Sequence, residues 1–191
     1  MSVALKIDKK YTYEDLLNFP EGERWELIDG VPYAMAAPNL KHQDIILSLG
    51  AEFREHLKGK KCKVFIAPTD VLLYANKKGK EGKSDDTVVQ PDLLVVCDLD
   101  KLSDGKTVKG APDLVVEILS PSNSNHDRTK KFRKYRDAAV PEIWFIDPED
   151  GVTEVFKLEN GKYSIDFYNA DDIVPVGVLP GFEVDMKVVF S

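Results

Sequence analysis

The sequence predicts a mixed α/β domain: a β-sheet flanked by helices, with antiparallel hairpins added at its edges. Three observations carry this reading. Leu93-Leu-Val-Val96, Leu114-Val-Val-Glu-Ile-Leu119 and Ile143-Trp-Phe-Ile146 are almost continuously apolar, as central strands covered on both faces are. Residues 120–138, between the second and third runs, contain a helical segment. A strand–helix–strand unit of that length makes a right-handed crossover between parallel strands, so a parallel sheet centre is expected. Finally, Asp29-Gly30 and Asn160-Gly161 are two-residue turn signals, each between strand-like segments.

The elements follow in order. Thr12-Tyr-Glu-Asp15 is a capping-box pattern opening a short helix, which Pro20 limits. Residues 24–37 read as the first hairpin. From Leu40 to Leu57, Ile45, Ile46, Leu49, Phe53 and Leu57 recur on one helical face. Residues 63–67 and 71–74 are short strands around Pro68. The lysine-rich stretches 76–86 and 98–110 are polar, contain Gly and lack periodicity, so they read as loops. After Asp147-Pro-Glu-Asp-Gly151 the pattern turns to short strands, with residues 152–158 and 163–168 flanking the second hairpin turn.

A chain of 191 residues suits one domain spanning 1–191. A domain this size buries roughly 70% of the surface its unfolded form exposes. An apolar content of 43% excludes a disordered chain. The net charge of −7 argues against a general polyanion coat. Cys62 and Cys97 make neither a disulfide framework nor a zinc site, so reduced thiols in a cytosol are expected. The beginning lacks the apolar stretch of a signal peptide, and no apolar run reaches the roughly 18 residues of a membrane span. A cytoplasmic location is therefore expected. No G-x-S-x-G, P-loop or zinc spacing is present.

Acids on the central strands carry the chemistry. An unpaired buried carboxylate is costly, yet Asp92 opens one apolar strand and Glu117 interrupts another. Neighbouring strands lie about 4.8 Å apart, so two such carboxylates can share a divalent cation. That ion polarises a phosphate oxygen and lowers the pKa of a bound water. The bland alternatives are a Pro-Asp turn for Asp92 and a buried salt bridge for Glu117. Asp113 shares a strand face with Glu117, but four residues place them roughly 13 Å apart. Asp113 therefore reads as a strand-entry residue.

Asp127, Lys131 and Tyr135 recur every four residues and stripe one helical face. Residues 128–136 hold six cations and no acid. A solvated face is the simple reading of most of them. The helix can also deliver one ammonium to a scissile phosphate, with Arg128, Lys130, Arg133 and Lys134 along a nucleic-acid backbone. Tyr135 reads as a packing residue with a polar tip.

Several of these segments together resemble the Uma family of restriction endonuclease-like proteins. They are Pro91-Asp92, Val115-Val-Glu-Ile-Leu-Ser-Pro-Ser122, the Asp127, Lys131, Tyr135 spacing, and Val140-Pro-Glu-Ile-Trp-Phe-Ile-Asp-Pro148. The likeness extends to Glu26-Leu-Ile-Asp-Gly30, His42 and Leu179-Pro-Gly-Phe182, and so covers nearly the whole chain. The resemblance implies a PD-(D/E)XK nuclease core, with Mg²⁺ or Mn²⁺ held by Asp92, Glu117 and the carbonyl of Ile118. The superfamily lysine, two residues after the Glu, is here Leu119; Lys131 matches a lysine moved to the following helix. Glu26 matches an upstream acid that reaches the pocket or, alternatively, an exposed hairpin acid. His42 is a supporting or base residue, or a capping residue. Asp127 orients Lys131 or caps its helix. The implied function is metal-dependent hydrolysis of nucleic acid, DNA first, with no membrane partner. The strand-rich C-terminal part offers a homodimer surface. The alternatives are an inactive nuclease-fold module that binds DNA or regulates, and a hydrolase of small phosphorylated substrates.

Overall fold

A computed structural model of the chain describes residues 9–75, 86–120 and 127–191. Most of the first lysine-rich stretch and of the Ser120–His126 turn cluster lie outside the described residues. Among the described residues no helix is long and apolar enough to cross a membrane.

The architecture is mixed α/β, as the apolar runs require. The main sheet has six strands. At its middle are β6 (Leu93–Val96), β8 (Leu114–Ile118) and β9 (Glu142–Asp147), the three apolar runs. β8 and β9 are parallel, with Glu117 opposite Phe145. The crossover between them carries helix α3 (Phe132–Ala138). The parallel centre is narrower than expected, because β6 runs antiparallel to β8. β6 follows its partner β3 (Lys63–Ile66) through a long excursion and enters the sheet in the opposite sense. The far edge is a hairpin of β10 (Val152–Glu159) and β11 (Lys162–Asn169), turned at Asn160-Gly161. Both turn residues have positive φ, 52° and 77°, which is why Asn-Gly occupies this position. Strand order is β11-β10-β9-β8-β6-β3.

A second, five-stranded sheet packs nearby. The first hairpin, β1 (Trp25–Ile28) and β2 (Val31–Ala34), joins the two-residue strands β4 (Val71–Leu72), β5 (Val88–Val89) and β7 (Val108–Lys109). The region expected to be loop at 98–110 thus contains β7, and a 3₁₀ turn at Leu99–Leu102. Strands of two residues have no period to read, so only pairing with β4 defines β7. The capping box at Thr12 opens α1 (Tyr13–Leu16), as its pattern indicates.

The three central strands of the main sheet bury both faces. On one face, Ile45, Leu49 and Phe53 of α2 (Leu40–His56) meet Val116, Ile118, Trp144 and the C-terminal segment. That segment comprises β12 (Ile173–Pro175), β13 (Glu183–Asp185) and α4 (Met186–Val189). On the other face, Tyr135 and Phe132 of α3 cover Val115, Leu119, Ile143 and Phe145 beside the second sheet.

The cysteines correct one expectation. The last pair of the β3–β6 ladder is Lys63 with Val96. The next residues, Cys62 and Cys97, lie with Cα atoms 4.0 Å apart and form a disulfide, replacing the reduced thiols read from the sequence. Their separation of 35 residues conceals the contact, because only strand register brings them side by side.

Candidate active site

The antiparallel register of β6 and β8 pairs Leu93 with Val116. One step beyond the ladder, Asp92 faces Glu117. The Asp92 carbonyl accepts the Ala67 N–H at 3.1 Å, extending β3 beside it. The Asp92 side chain turns toward β8, and its Oδ2 accepts the Ile118 N–H at 2.8 Å. Ile118 is thus engaged through its N–H, while its carbonyl remains the atom named for a metal. Asp92 is a ligand candidate fastened to the sheet, not a free turn residue.

His42 lies in the first turn of α2. Its N–H is capped by Asn39 Oδ1 at 2.8 Å, so the cap of this helix is Asn39 and not His42. The ring is free to point inward, and Nε2 stands 3.1 Å from Asp92 Oδ2. An ionised carboxylate only accepts, so the contact pairs an ionised Asp92 with the His42 tautomer protonated on Nε2. Nδ1 is then buried with no hydrogen-bond partner among the described residues.

Glu117 sits mid-strand with 2% of its surface exposed. Lys131 arrives from a π-helical turn, Asp127–Lys131, that leads into α3. Its Nζ donates to Glu117 Oε1 and Oε2 at 3.1 and 3.0 Å. The same ammonium lies 2.8 Å from Glu26 Oε1. Glu26 is buried on β1, and its Oε1 also accepts the Gln90 N–H at 2.7 Å. The reading of Glu26 as an exposed hairpin acid is thereby excluded. The salt bridge weighed for Glu117 exists, and its partner is the candidate catalytic lysine.

Tyr135, one turn on from Lys131, donates its hydroxyl to Glu117 Oε1. Full burial, reinforced by the Glu117 charge, holds this phenol well above its ordinary pKa. It therefore remains a proton donor to the carboxylate. The four-residue spacing of Lys131 and Tyr135 places both on Glu117. The side chain of Asp127 lies outside what is described. Leu119, in the superfamily lysine position, is 5% exposed and packs in the core.

Asp92, Glu117, Ile118, Lys131, Glu26 and His42 line one cleft of about 1020 Å³. Among the described residues no group of three or more His, Cys, Asp or Glu forms a ready metal cage. The donor set still suits a hard divalent ion. Mg²⁺ keeps several waters and takes one or two carboxylates plus substrate oxygens, and Asp92 and Glu117 are the carboxylates that could serve.

The outer cations take other partners. Arg128 pairs with Glu154, and Lys134 pairs with Asp29 at 2.6 Å. Lys130 donates to Tyr33 Oη at 2.9 Å and lies 4.5 Å above its ring. Arg133 is exposed. Asp113 accepts the Cys97 N–H at 2.7 Å, as a strand-entry residue does. Sequence reasoning missed Gln90. It positions Glu26 through its backbone and links Arg24 Nε to Asp70 Oδ1 at 3.1 and 2.9 Å. Its place two residues before Asp92 was the available signal.

A solved structure shares this fold: a crystal structure described as "a putative nuclease belonging to DUF820" from Anabaena variabilis. It superposes with a TM-score of 0.73, covering 94% of this chain and 97% of that one at 21% identity. An uncharacterized protein of Synechocystis sp. is 30% identical over 169 residues, 85% of this chain and 83% of that protein. The model of the Uma2 family, described as "Putative restriction endonuclease", matches residues 11–187. That span holds every residue of the cleft, so the match and the buried acid–lysine cluster concern the same part of the molecule: the chain belongs to the Uma2 family of restriction endonuclease-like proteins.

Proposed function

We propose that the chain is a metal-dependent nuclease that hydrolyses phosphodiester bonds of nucleic acid, DNA in the first instance. The observation that carries this reading is the buried Lys131 ammonium on two carboxylates, in the cleft that also holds Asp92. Asp92, Glu117 and the Ile118 carbonyl would hold Mg²⁺ or Mn²⁺, which supplies a Lewis acid for the phosphate and acidifies a water. His42 and the Ile118 N–H both engage Oδ2 of Asp92, so Oδ1 is the oxygen that would serve the ion. Tyr135 and Lys131 hold Glu117 in one rotamer. Lys131 places a positive charge where a pentavalent phosphate accumulates negative charge. Glu26 keeps that ammonium in position. Of the outer cations Arg133 is exposed, and Arg128, Lys130 and Lys134 would exchange Glu154, Tyr33 and Asp29 for the backbone of a bound strand.

One observation favours the alternative of a module without catalysis. Lys131 already pairs with both Glu26 and Glu117, so each acid has a cationic partner without an added ion. Cleavage of single-stranded DNA, duplex DNA and RNA with Mg²⁺, Mn²⁺ or EDTA separates the two readings. Asp92→Asn and Glu117→Gln should each abolish cleavage and the thermal shift on adding Mn²⁺. Cleavage that survives both substitutions removes the site assignment; absence of both cleavage and thermal shift supports the module.

A homodimer through β11 is proposed as well. This eight-residue edge strand exposes Ile165 and Phe167 at 42% and 62%. An antiparallel pairing centred on Ile165 sets Tyr163 opposite Phe167 of the second copy and opposes no like charges.

A further inference from the structure

Arg24 lines the cleft, and its guanidinium is only partly engaged. The Met35 N–H donates to the Arg24 carbonyl at 2.8 Å, which carries the β1–β2 ladder back by one residue. The strand period then sets Arg24 on the same face as Glu26. Its Nε donates to Gln90 Oε1 at 3.1 Å. The Gln90 amide has one workable orientation, because its Nε2 donates to Asp70 Oδ1 at 2.9 Å and leaves the oxygen for Arg24. Gln90 is buried, so water competes little with this hold.

The outer edge of the guanidinium is unmet. Nη2 is closed off from water and has no hydrogen-bond partner. Among the described residues Arg24 has no side-chain partner besides Gln90, and no carboxylate pairs with it. The acid on its own face, Glu26, is taken by Lys131 at 2.8 Å. The other cations lining the cleft have acidic partners. Lys131 lies on the two glutamates, and Lys41 lies 3.7 Å from Glu149. Arg24 has a neutral amide instead. A buried donor without a partner is costly, more so when it is charged. In folded proteins such atoms trace to a bound water, an ion or a function. A second buried atom without a partner, His42 Nδ1, belongs to another residue lining this cleft. Unmet hydrogen-bonding capacity thus gathers where a ligand would sit. A guanidinium is always charged, weakly hydrated and forked, and the fork matches two oxygens of one phosphate.

We propose that Arg24 binds a backbone phosphate of the substrate through Nη1 and Nη2, and that Gln90 is the positioning residue that aims its guanidinium. The proposal rests on the nuclease reading and adds a substrate contact to it. Gln90 reaches Glu26 through its backbone N–H, so replacing its side chain loosens Arg24 and leaves the support of Lys131 in place.

The test compares the full chain with Arg24→Gln, Arg24→Lys and Gln90→Met, all confirmed folded by thermal melts. Binding of a labelled oligonucleotide is measured in EDTA over a series of salt concentrations. Cleavage kinetics are measured in Mn²⁺, and inorganic phosphate is added in thermal-shift measurements. Arg24→Gln should weaken binding roughly tenfold. It should also reduce the slope of log affinity against log salt by about 0.7–0.9, the value of one phosphate contact. KM should rise more than kcat falls. Arg24→Lys should restore the slope but only part of the affinity, because it keeps the charge and loses the fork. Gln90→Met should raise KM and keep the slope. Arg24→Gln with slope and KM unaltered overturns the contact and assigns Nη2 to packing or a bound water, while the nuclease reading stands. Gln90→Met with KM unaltered removes the positioning role. Wild type that neither binds nor cleaves nucleic acid overturns the nuclease reading. The anion site then stands only if inorganic phosphate raises the melting temperature of wild type and not of Arg24→Gln, and otherwise falls with it.

Discussion

Replacing Lys131 with Met tests the centre of the site as an electrostatic unit. The Lys131 ammonium lies 2.8 Å from Glu26 Oε1 and 3.0 Å from Glu117 Oε2, and the three side chains are only 2–4% exposed. At an effective dielectric near 20, each contact is worth about 5–6 kcal/mol before desolvation. Much of that gain offsets the cost of taking three charges out of water. The methionine keeps the length and much of the volume, so packing changes little. The charge is lost, and Glu26 and Glu117 face each other without it. Removing one member of such a buried cluster costs about 3–5 kcal/mol. For a chain of this size, that lowers the melting temperature by roughly 6–20 °C. Thermal melts and urea unfolding measure it, and the Mn²⁺-dependent cleavage assay reports activity in parallel. Adding Glu26→Gln to Lys131→Met should recover part of the loss, because one of the two opposed charges is then gone. Lys131→Met melting within about 2 °C of wild type, with no recovery from Glu26→Gln, would refute the reasoning. The ammonium would then not be what balances the two acids.

The remaining predictions concern the supports of the site and the edges of the sheet. His42→Ala removes one hold on Asp92 and should lower metal-dependent cleavage by roughly 10–100-fold with a small change in melting temperature; unchanged activity would assign His42 to packing alone. The Cys62–Cys97 bond closes a loop across 35 residues, which in the chain-entropy account contributes about 3–4 kcal/mol. Reduction, or Cys62→Ser with Cys97→Ser, should therefore lower the melting temperature by roughly 10 °C, and a mass measurement under native conditions confirms whether the bond is present. Phe167→Lys should make the protein monomeric by light scattering without unfolding it, since Phe167 is exposed; a wild type that is already monomeric at high concentration would remove the β11 interface.

How much was legible depended on the range of the forces involved. The three apolar strands, the α2 face and both hairpin turns were readable because period and turn chemistry act within a few residues. Asp92 and Glu117 were readable because an acid at a buried strand position has few explanations. Lys131 and Tyr135 were legible as one helical face, but not their shared target. Glu26 was ambiguous, because a hairpin residue shows its burial only when the second sheet closes over it. The cysteines were misread, since a spacing of 35 residues carries no information about register. The strip at 128–136 was read as one surface. The structure divides it into a buried ammonium, partners for Glu154 and Asp29, and a cation over Tyr33.

By itself the sequence determined the mixed α/β class, the order of the main elements and the carriers of the central carboxylates, since hydrophobic period and turn preference are properties of neighbouring residues. The tertiary structure alone decided which charges pair with one another, that β6 runs against β8, and that exposed apolar residues line the same cleft as the acids. Those are outcomes of strand register and burial, and both depend on residues far apart along the chain.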